Sequence, residues 1–392
     1  MRRHEDIHAP GHVIRVCVDG PRRQHKRRSA IHVIPRFKEE VPIKHMAVSL
    51  FSGCGGDTLG LERAGLKVLC FSEMNATFAS SHLSNFPYSI HIPGDITTIN
   101  SEKFREYLGR VKILFAGFPC QGFSLAGKKK ADDPRNQLYR QFVRATDDMR
   151  PLFIMGENVK GLETMKSGPN PDDPLVLDCI KRDFDEIGYS TISHTWEATS
   201  FGVPQKRKRV IIVGWDRSRV SNFPDDFWSK IPSPASMPTL RSFVSNTMEG
   251  AYRIPERCVP EGFDTWALEV DDDAEPSGAP HPYVVLKTDA NLLSCTKRDS
   301  PIHSEVVNLD APSKTIICTY GHQPRLLVGL RKRSGAAYVR TLLPDELKQI
   351  QGFPKDYIIN GKLNEKITQI GNAAPPPMIE AVARALLEVQ HS

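Results

Sequence analysis

From Ala47 to about Asp216 the sequence alternates apolar runs of strand length with segments of helix length, the runs being AVSLF, KVLCFS, VKILFAGF, LFIMGE and RVIIVGW. Strands this evenly apolar are buried on both faces, and helices between them supply the cover. The pattern predicts an α/β fold, with a mixed, mostly parallel sheet and helices on both sides. With a further strand ending near Asp95 counted third, VKILFAGF is the fourth strand, LFIMGE the fifth and RVIIVGW the sixth. Ligands of such sheets sit beyond the carboxyl ends of the strands, so the residues just after each run are candidates for chemistry.

The rest of the chain divides by texture. Residues 1–45 form an Arg/His-rich stretch, including RRQHKRR, that reads as a basic tail, either a plain accessory arm, a nucleic-acid contact or a localisation signal. Met46 offers an internal start. Residues 46–216 are expected to form the main domain, and 217–330, Pro-rich with an acidic patch at Asp271–Glu275, a smaller lobe of loops and short strands. Residues 331–392 carry TLLPDELKQIQGF, with Pro344 where a first helical turn tolerates it, and an amphipathic MIEAVARALLEV.

A chain of 392 residues with 40% hydrophobic and 25% charged residues has the composition of a soluble protein with two cores. It has neither an apolar span of membrane length nor a secretory leader, which points to the cytoplasm, or to the nucleus in a eukaryote. Eight cysteines without a CxxC pair argue against a disulfide framework and a zinc site. The formal charge of +6 leans only mildly toward a polyanionic partner.

The strand ends carry the chemistry. After the first comes FSGCGGDTLG, where Gly53 and Gly55 let a ligand approach the backbone, although Thr58 stands where a dinucleotide fingerprint would have its third glycine. Glu73 ends the second strand and suits ribose hydroxyls; Asp95 ends the third. Either acid alone could equally be a helix cap. The fourth strand ends in PCQGFS, placing Cys120 after a rigid Pro119 and before Lys128–Lys130, which favour a thiolate and could grip phosphates. Glu157 closes the fifth strand, where an unpaired carboxylate would be costly, as an acid or a partner for a base edge. Arg207 and Arg209 alternate onto one face of the sixth strand, as a solvated edge or as part of a site.

These motifs, in order from Ala47 to the C-terminus, resemble those of the DNA (cytosine-5) methyltransferase family: FSGCGG, GFPCQGFS, ENV, PQKRKR, RTLLPDELKQIQGFP and QIGNAAPPPM. The resemblance implies a Rossmann-like catalytic domain, S-adenosylmethionine as methyl donor without a metal, and double-stranded DNA as substrate. It implies that Cys120 adds to carbon 6 of a flipped cytosine, that Glu157 contacts the base edge, and that Arg207 and Arg209 hold base and geometry. It assigns Phe51, Gly53, Gly55, Glu73, Met74, Asp95, Pro119, Asn372 and Ala373 to the cofactor, and Gln121, Ser124, Lys128 and Thr315 to DNA. Met74 and Asn75 depart from the family's usual residues after Glu73, which puts the adenine contact in doubt. The variable lobe at 217–330 would read the target sequence.

Three rival readings remain in view. The transfer-RNA branch of the same family has a second Pro before its Pro-Cys-Gln, where this chain has Phe118, and a Cys-Phe-Thr where this chain has CTYG. A silent regulator of the same fold would lose nucleophile or cofactor motifs, which are kept here. A nicotinamide dehydrogenase has no use for Pro-Cys-Gln or the arginine pair. Of a restriction-modification, a viral and a maintenance or silencing setting, the compact catalytic unit points to one of the first two, beside a cognate restriction endonuclease or in a virus, with a monomer as the default expectation.

Overall fold

The computed structural model describes residues 45–119, 138–233, 236, 238–279, 304–322 and 324–389, with the backbone of 285–287 and 292–294. Apart from His45, the expected basic tail lies outside the described residues, as do Cys120, Gln121, Ser124 and Lys128.

The main sheet is built from β1 (Met46–Leu50), β2 (Lys67–Glu73), β3 (Ile90–Pro93), β4 (Ile113–Ala116), β5 (Phe153–Val159) and β6 (Tyr189–Glu197). After the two-residue β7 (Gln205–Lys206), β8 (Lys208–Asp216) completes it. The spatial order is β3-β2-β1-β4-β5-β8-β6, parallel from β3 to β5, with β8 antiparallel to both of its neighbours. Between the strands run α1 (Gly56–Arg63), α2 (Ala76–Asn85), α3 (Ser101–Arg105), α4 (Tyr139–Met149) and α5 (Val176–Glu186).

The smaller lobe follows with β9 (Tyr252–Arg253), α6 (Phe263–Trp266), β10 (Leu268–Val270), a hairpin of β11 (Val285–Lys287) and β12 (Leu292–Ser294), and β13 (Glu305–Val306). Next come β14 (Ser313–Lys314), β15 (Leu326–Lys332) and β16 (Ala337–Thr341). A second sheet runs β10-β15-β16-β9 with β13 also on β15, whereas β14 pairs with β7 beside the main sheet. The chain continues through α7 (Pro344–Ile350), α8 (Leu363–Asn372) and α9 (Pro376–Leu387).

Strand alternation sorts the main sheet's side chains into two cores. Ala47, Ile113, Phe115, Phe153, Met155, Ile211 and Val213 face α1 and α9; Val48, Leu50, Leu114, Ala116, Ile154, Val210 and Ile212 face α4 and α5. α9 lies close on α1 because residue 60 is glycine, where a Cβ would stand 2.6 Å from both Ile379 Cβ and Pro376 O. A third core joins the inner face of the second sheet (Leu326, Val328, Leu330) to α7 and α8 and to Cys54 and Phe86 of the main domain.

Three expectations need correction. RVIIVGW is not the sixth strand of the main sheet but follows another, β6, whose sequence YSTISHTWE gives no continuous apolar signal because it is an edge strand with half-buried, polar side chains. The main domain does not end at 216, since Val220, Phe227 and Ile231 pack into its first core. The lobe does not end at 330, a position inside β15, because β15 and β16 are strands of one sheet.

Candidate active site

The loop after β1 turns sharply on residues in the left-handed region: Phe51 (φ 56°), Gly53 (φ 56°) and Gly55 (φ 89°). A Cβ at Gly55 would lie 2.7 Å from His82 Cδ2 and 2.9 Å from the Tyr357 hydroxyl, whereas one at Gly53 would meet nothing within 4 Å. Gly55 is thus set by packing, and Gly53 by backbone conformation over open space. Phe51, with no such exemption, holds a conformation that costs about 1–3 kcal/mol and persists only under constraint. The constraint is visible: Phe51 N donates to Ser72 Oγ (3.3 Å), Gly53 N to Glu73 Oε2 (3.0 Å), and the Tyr357 hydroxyl to Cys54 O (2.6 Å).

Glu73 Oε1 also accepts from Asn75 N (2.7 Å), so each carboxylate oxygen holds one backbone N–H and keeps a lone pair for a further donor such as a ribose hydroxyl. Burial pushes the Glu73 carboxyl above the ordinary range, against the pull of these N–H groups. Met74 is 71% exposed. Asn75 has a local task as N-cap of α2, accepting from Thr77 N and Phe78 N, which accounts for one of the two departures after Glu73. Asp95 is exposed and caps a short 3-10 turn through Thr97 N (2.9 Å), leaving its other oxygen open.

Beneath the loop is a buried polar cluster that the sequence reading did not single out. Asp57, near the start of α1, accepts from Ser49, from Ser52 (3.1 Å) and from Thr58 (3.3 Å), and the Thr58 hydroxyl meets His82 Nε2 at 2.9 Å. Burial raises the Asp57 carboxyl to about 7 and lowers His82 to about 3. Polar residues inside a glycine motif look solvated in sequence, and only the packing of Phe71 on His82 and of α2 over the loop shows otherwise.

At the end of β4, Phe118 is buried and Pro119 half-buried, and the Asn158 amide donates to Phe118 O (3.2 Å), fixing the base of the loop that leads to Cys120. Glu157 does not close β5, which runs two residues further to Val159; it is buried within the strand, and Arg209 Nε of β8 stands 2.8 Å from its Oε1, both side chains about one-tenth exposed. The guanidinium N–H is not aimed along that line, so Oε1 has charge compensation but no hydrogen bond. Arg207 is fully buried and spends its guanidinium on main-chain oxygens: Ile316 O (3.1 Å), Gly371 O (2.9 Å) and Ala373 O (3.1 Å). Burial first, and Arg209 next, push Arg207 well below the usual guanidinium range, with Glu157 opposing them. The paired arginines are therefore no solvated edge, and they differ: one ties backbone together, the other faces the carboxylate.

Thr315, half-buried just after β14, donates to Lys206 O (2.9 Å), and β14 runs parallel to β7, so a strand between two strands of the smaller lobe's sheet lies beside the arginine pair. Asn372 is exposed at the end of α8; Ala373 is half-buried, its carbonyl held by Arg207. A Cβ at Gly56 would stand 2.8 Å from Ala374 O and 3.3 Å from Ala373 Cβ, which places this segment against the glycine loop.

The C-5 cytosine-specific DNA methylase family model matches residues 45–388. The chain belongs to this family. As a C-5 methylase it transfers a methyl group from S-adenosylmethionine to carbon 5 of cytosine in DNA. It is 30% identical over 357 residues to the Type II methyltransferase M1.HphI of Haemophilus parahaemolyticus, an alignment covering 87% of this chain and 86% of that protein. It is 28% identical to the Type II methyltransferase M1.ScrFI of Lactococcus lactis subsp. cremoris, over 92% of this chain and 84% of that one. In fold it is similar to the Dnmt2 methyltransferase of S. pombe, with TM-score 0.61 and 17% identity, covering 88% of this chain and 99% of the other.

The methylase's glycine loop has features that a methyl donor could use: an open face at Gly53, a desolvated carboxylate at Glu73 with lone pairs to spare, and a segment at Ala373–Ala374 packed against Gly56. Among the described residues, no helix is long and apolar enough to cross a membrane.

Proposed function

We propose that this methylase modifies cytosine within a defined duplex DNA sequence as the modification partner of a restriction endonuclease, with Cys120 as nucleophile and Glu157 at the base edge. The observation that carries the base pocket is Glu157: a buried carboxylate two residues before the end of β5, charge-compensated by Arg209, whose covered Oε1 lacks a hydrogen bond and so still wants a polar partner. Such a group can accept from the exocyclic amine of cytosine and share a proton with the ring nitrogen, specific contacts that pyrimidine recognition needs once the base has left the stack. Arg209 keeps Glu157 oriented; Arg207 acts at one remove, by holding main chain.

The Cys120 thiolate gives its electron pair to carbon 6, which makes carbon 5 nucleophilic. Bound S-adenosylmethionine would supply the methyl group to carbon 5 from its sulfonium, the sulfur–methyl bond breaking to leave S-adenosylhomocysteine. Loss of the carbon-5 proton and release of Cys120 restore the aromatic ring. Asn158 serves this step by anchoring the Phe118 carbonyl two residues before the nucleophile. Phe51, Gly53, Gly55, Glu73, Met74, Asp95, Pro119, Asn372 and Ala373 would surround the donor, and Gln121, Ser124, Lys128 and Thr315 would touch DNA. The smaller lobe would read the flanking sequence, with the protein acting as a monomer in the cytoplasm of its host.

The test is incubation of the purified protein with tritiated S-adenosylmethionine and either mixed-sequence duplex DNA or total RNA, alongside Cys120→Ser. Label recovered as 5-methylcytosine in DNA, and absent with the variant, is the expected result. Label only in RNA would move the protein to the transfer-RNA branch, and label in neither, with cofactor binding intact, would make it a silent regulator.

A further inference from the structure

Two glutamines outside every motif role so far described are completely buried: Gln205, two residues before Arg207, and Gln351, just after α7. Gln205 Oε1 accepts from Ile316 N (2.9 Å) and its Nε2 donates to Gln351 Oε1 (2.7 Å); Gln351 Nε2 in turn donates to Ala373 O (2.6 Å). Arg207 closes the figure by donating to Ile316 O, Gly371 O and Ala373 O. Four stretches of chain distant in sequence are joined: the strand bearing the arginines, the exit of β14, the end of α7 and the exit of α8. Each amide has one workable orientation, since turning Gln351 over would set its oxygen against Ala373 O; both amides are paired, while Arg207 is paired through its two terminal nitrogens and keeps a buried Nε without a partner, so the loss of any further bond in this enclosed network is costly.

We infer that Gln351, acting through Gln205 and Arg207, is a positioning residue that couples the cofactor pocket to the base pocket and to the smaller lobe. This rests on the reading of Asn372–Ala373 as a cofactor wall and of Glu157 with Arg209 as the base edge. The Ala373 carbonyl is the shared part: it belongs to the segment packed against Gly56, and it is gripped at once by Gln351 and by Arg207, two residues from Arg209. A shift of that carbonyl is felt on one side at the Arg209–Glu157 pair and on the other at Ile316, next to Thr315. Occupancy of one pocket therefore biases the geometry of the other, and linkage requires the effect to be reciprocal.

Gln351→Glu tests this with little change in volume, for it can still accept from Gln205 but cannot donate to Ala373. Duplex DNA carrying the sequence mapped by the methylation assay is titrated into the full chain with and without S-adenosylhomocysteine, and cofactor affinity is measured with and without that DNA. The native protein should bind DNA more tightly with the cofactor product present, by roughly five-fold or more, the lower end of ordinary coupling. In Gln351→Glu that ratio should fall toward one in both titrations, while a native-like melting transition shows the fold retained. Gln205→Glu should do the same, and the double variant should lose no more than either single one, the mark of residues acting as a unit. A ratio unchanged in Gln351→Glu, or no coupling in the native protein, overturns the inference while leaving the methylation reading intact. Failure of the native protein to methylate DNA overturns that reading itself.

Discussion

Asp57 and His82 sit in one buried cluster and respond to pH in opposite senses. Burial raises the Asp57 carboxyl from 3.8 to about 7, so between those values the folded state holds a proton the unfolded chain has released. Its contribution to stability is complete at low pH and is lost as pH rises through about 7. His82 is lowered from 6.5 to about 3, so its neutral form stabilises the fold above 6.5 and that contribution is lost as pH falls toward 3. Asp57→Asn removes the first dependence and keeps an amide oxygen for Ser49 and Ser52. The difference in melting temperature between Asp57→Asn and the native protein should therefore move in favour of the variant as pH is raised from 4 to 8; a difference that stays flat would mean that Asp57 ionises as freely folded as unfolded. Because the cluster lies under Phe51–Gly55, the same substitution should leave turnover on saturating DNA nearly unchanged and shift mainly the concentration of S-adenosylmethionine needed. None of this was legible in the sequence. Asp57 looked like an ordinary first-turn acid because its cover comes from β2 and α2, and Gln205 and Gln351 like polar residues in polar motifs because each is buried against the other and against Ile316, more than a hundred positions from Gln205. Glu157 was legible, since it ends an apolar run whose other members are core.

At the scale of elements, legibility followed burial on both faces. β1, β4 and β5 announce themselves because helices cover them from either side, so nearly every residue is apolar. β6 stayed silent because only β8 borders it. The contact of α1 with α9 was equally hidden, since nothing in a helical pattern says which distant helix will lie against it. Gly60 is what that contact turns on. Alanine in place of a helical glycine ordinarily gains about 1 kcal/mol, but here the new methyl would meet Pro376 O and Ile379 at 2.6 Å, atoms that move only if α9 moves. Overpacking of this kind costs about 1–3 kcal/mol and more when backbone must yield. Gly60→Ala should accordingly lower the urea midpoint at unchanged slope, and a raised midpoint would show that α9 accommodates the methyl without strain.

For the molecule as a whole, the chain is laced rather than strung. The glycine loop belongs to the first strand of the main sheet, yet its far wall is Ala373–Ala374, its tether is Tyr357, and its under-surface shares a core with β15 and α8. Catalytic sheet and smaller lobe are consequently not separable by a cut at 217 or 330, and fragments divided there should neither bind S-adenosylhomocysteine by calorimetry nor remain monodisperse. Binding by a 46–216 fragment alone would contradict this account.

That lacing has a consequence in time. α1 leaves the ribosome on the order of three hundred residues ahead of α9, the helix that covers it, and at about 5–20 residues per second the apolar stripe around Leu61 and Ala64 waits roughly 15 to 60 seconds for its partner. During synthesis the half-made protein thus leaves that stripe uncovered, an exposed apolar surface of the aggregation-prone kind. The same delay bears on activity: until α8 has been made and Ala373–Ala374 lie against Gly56, a nascent chain lacks one wall of the proposed donor pocket.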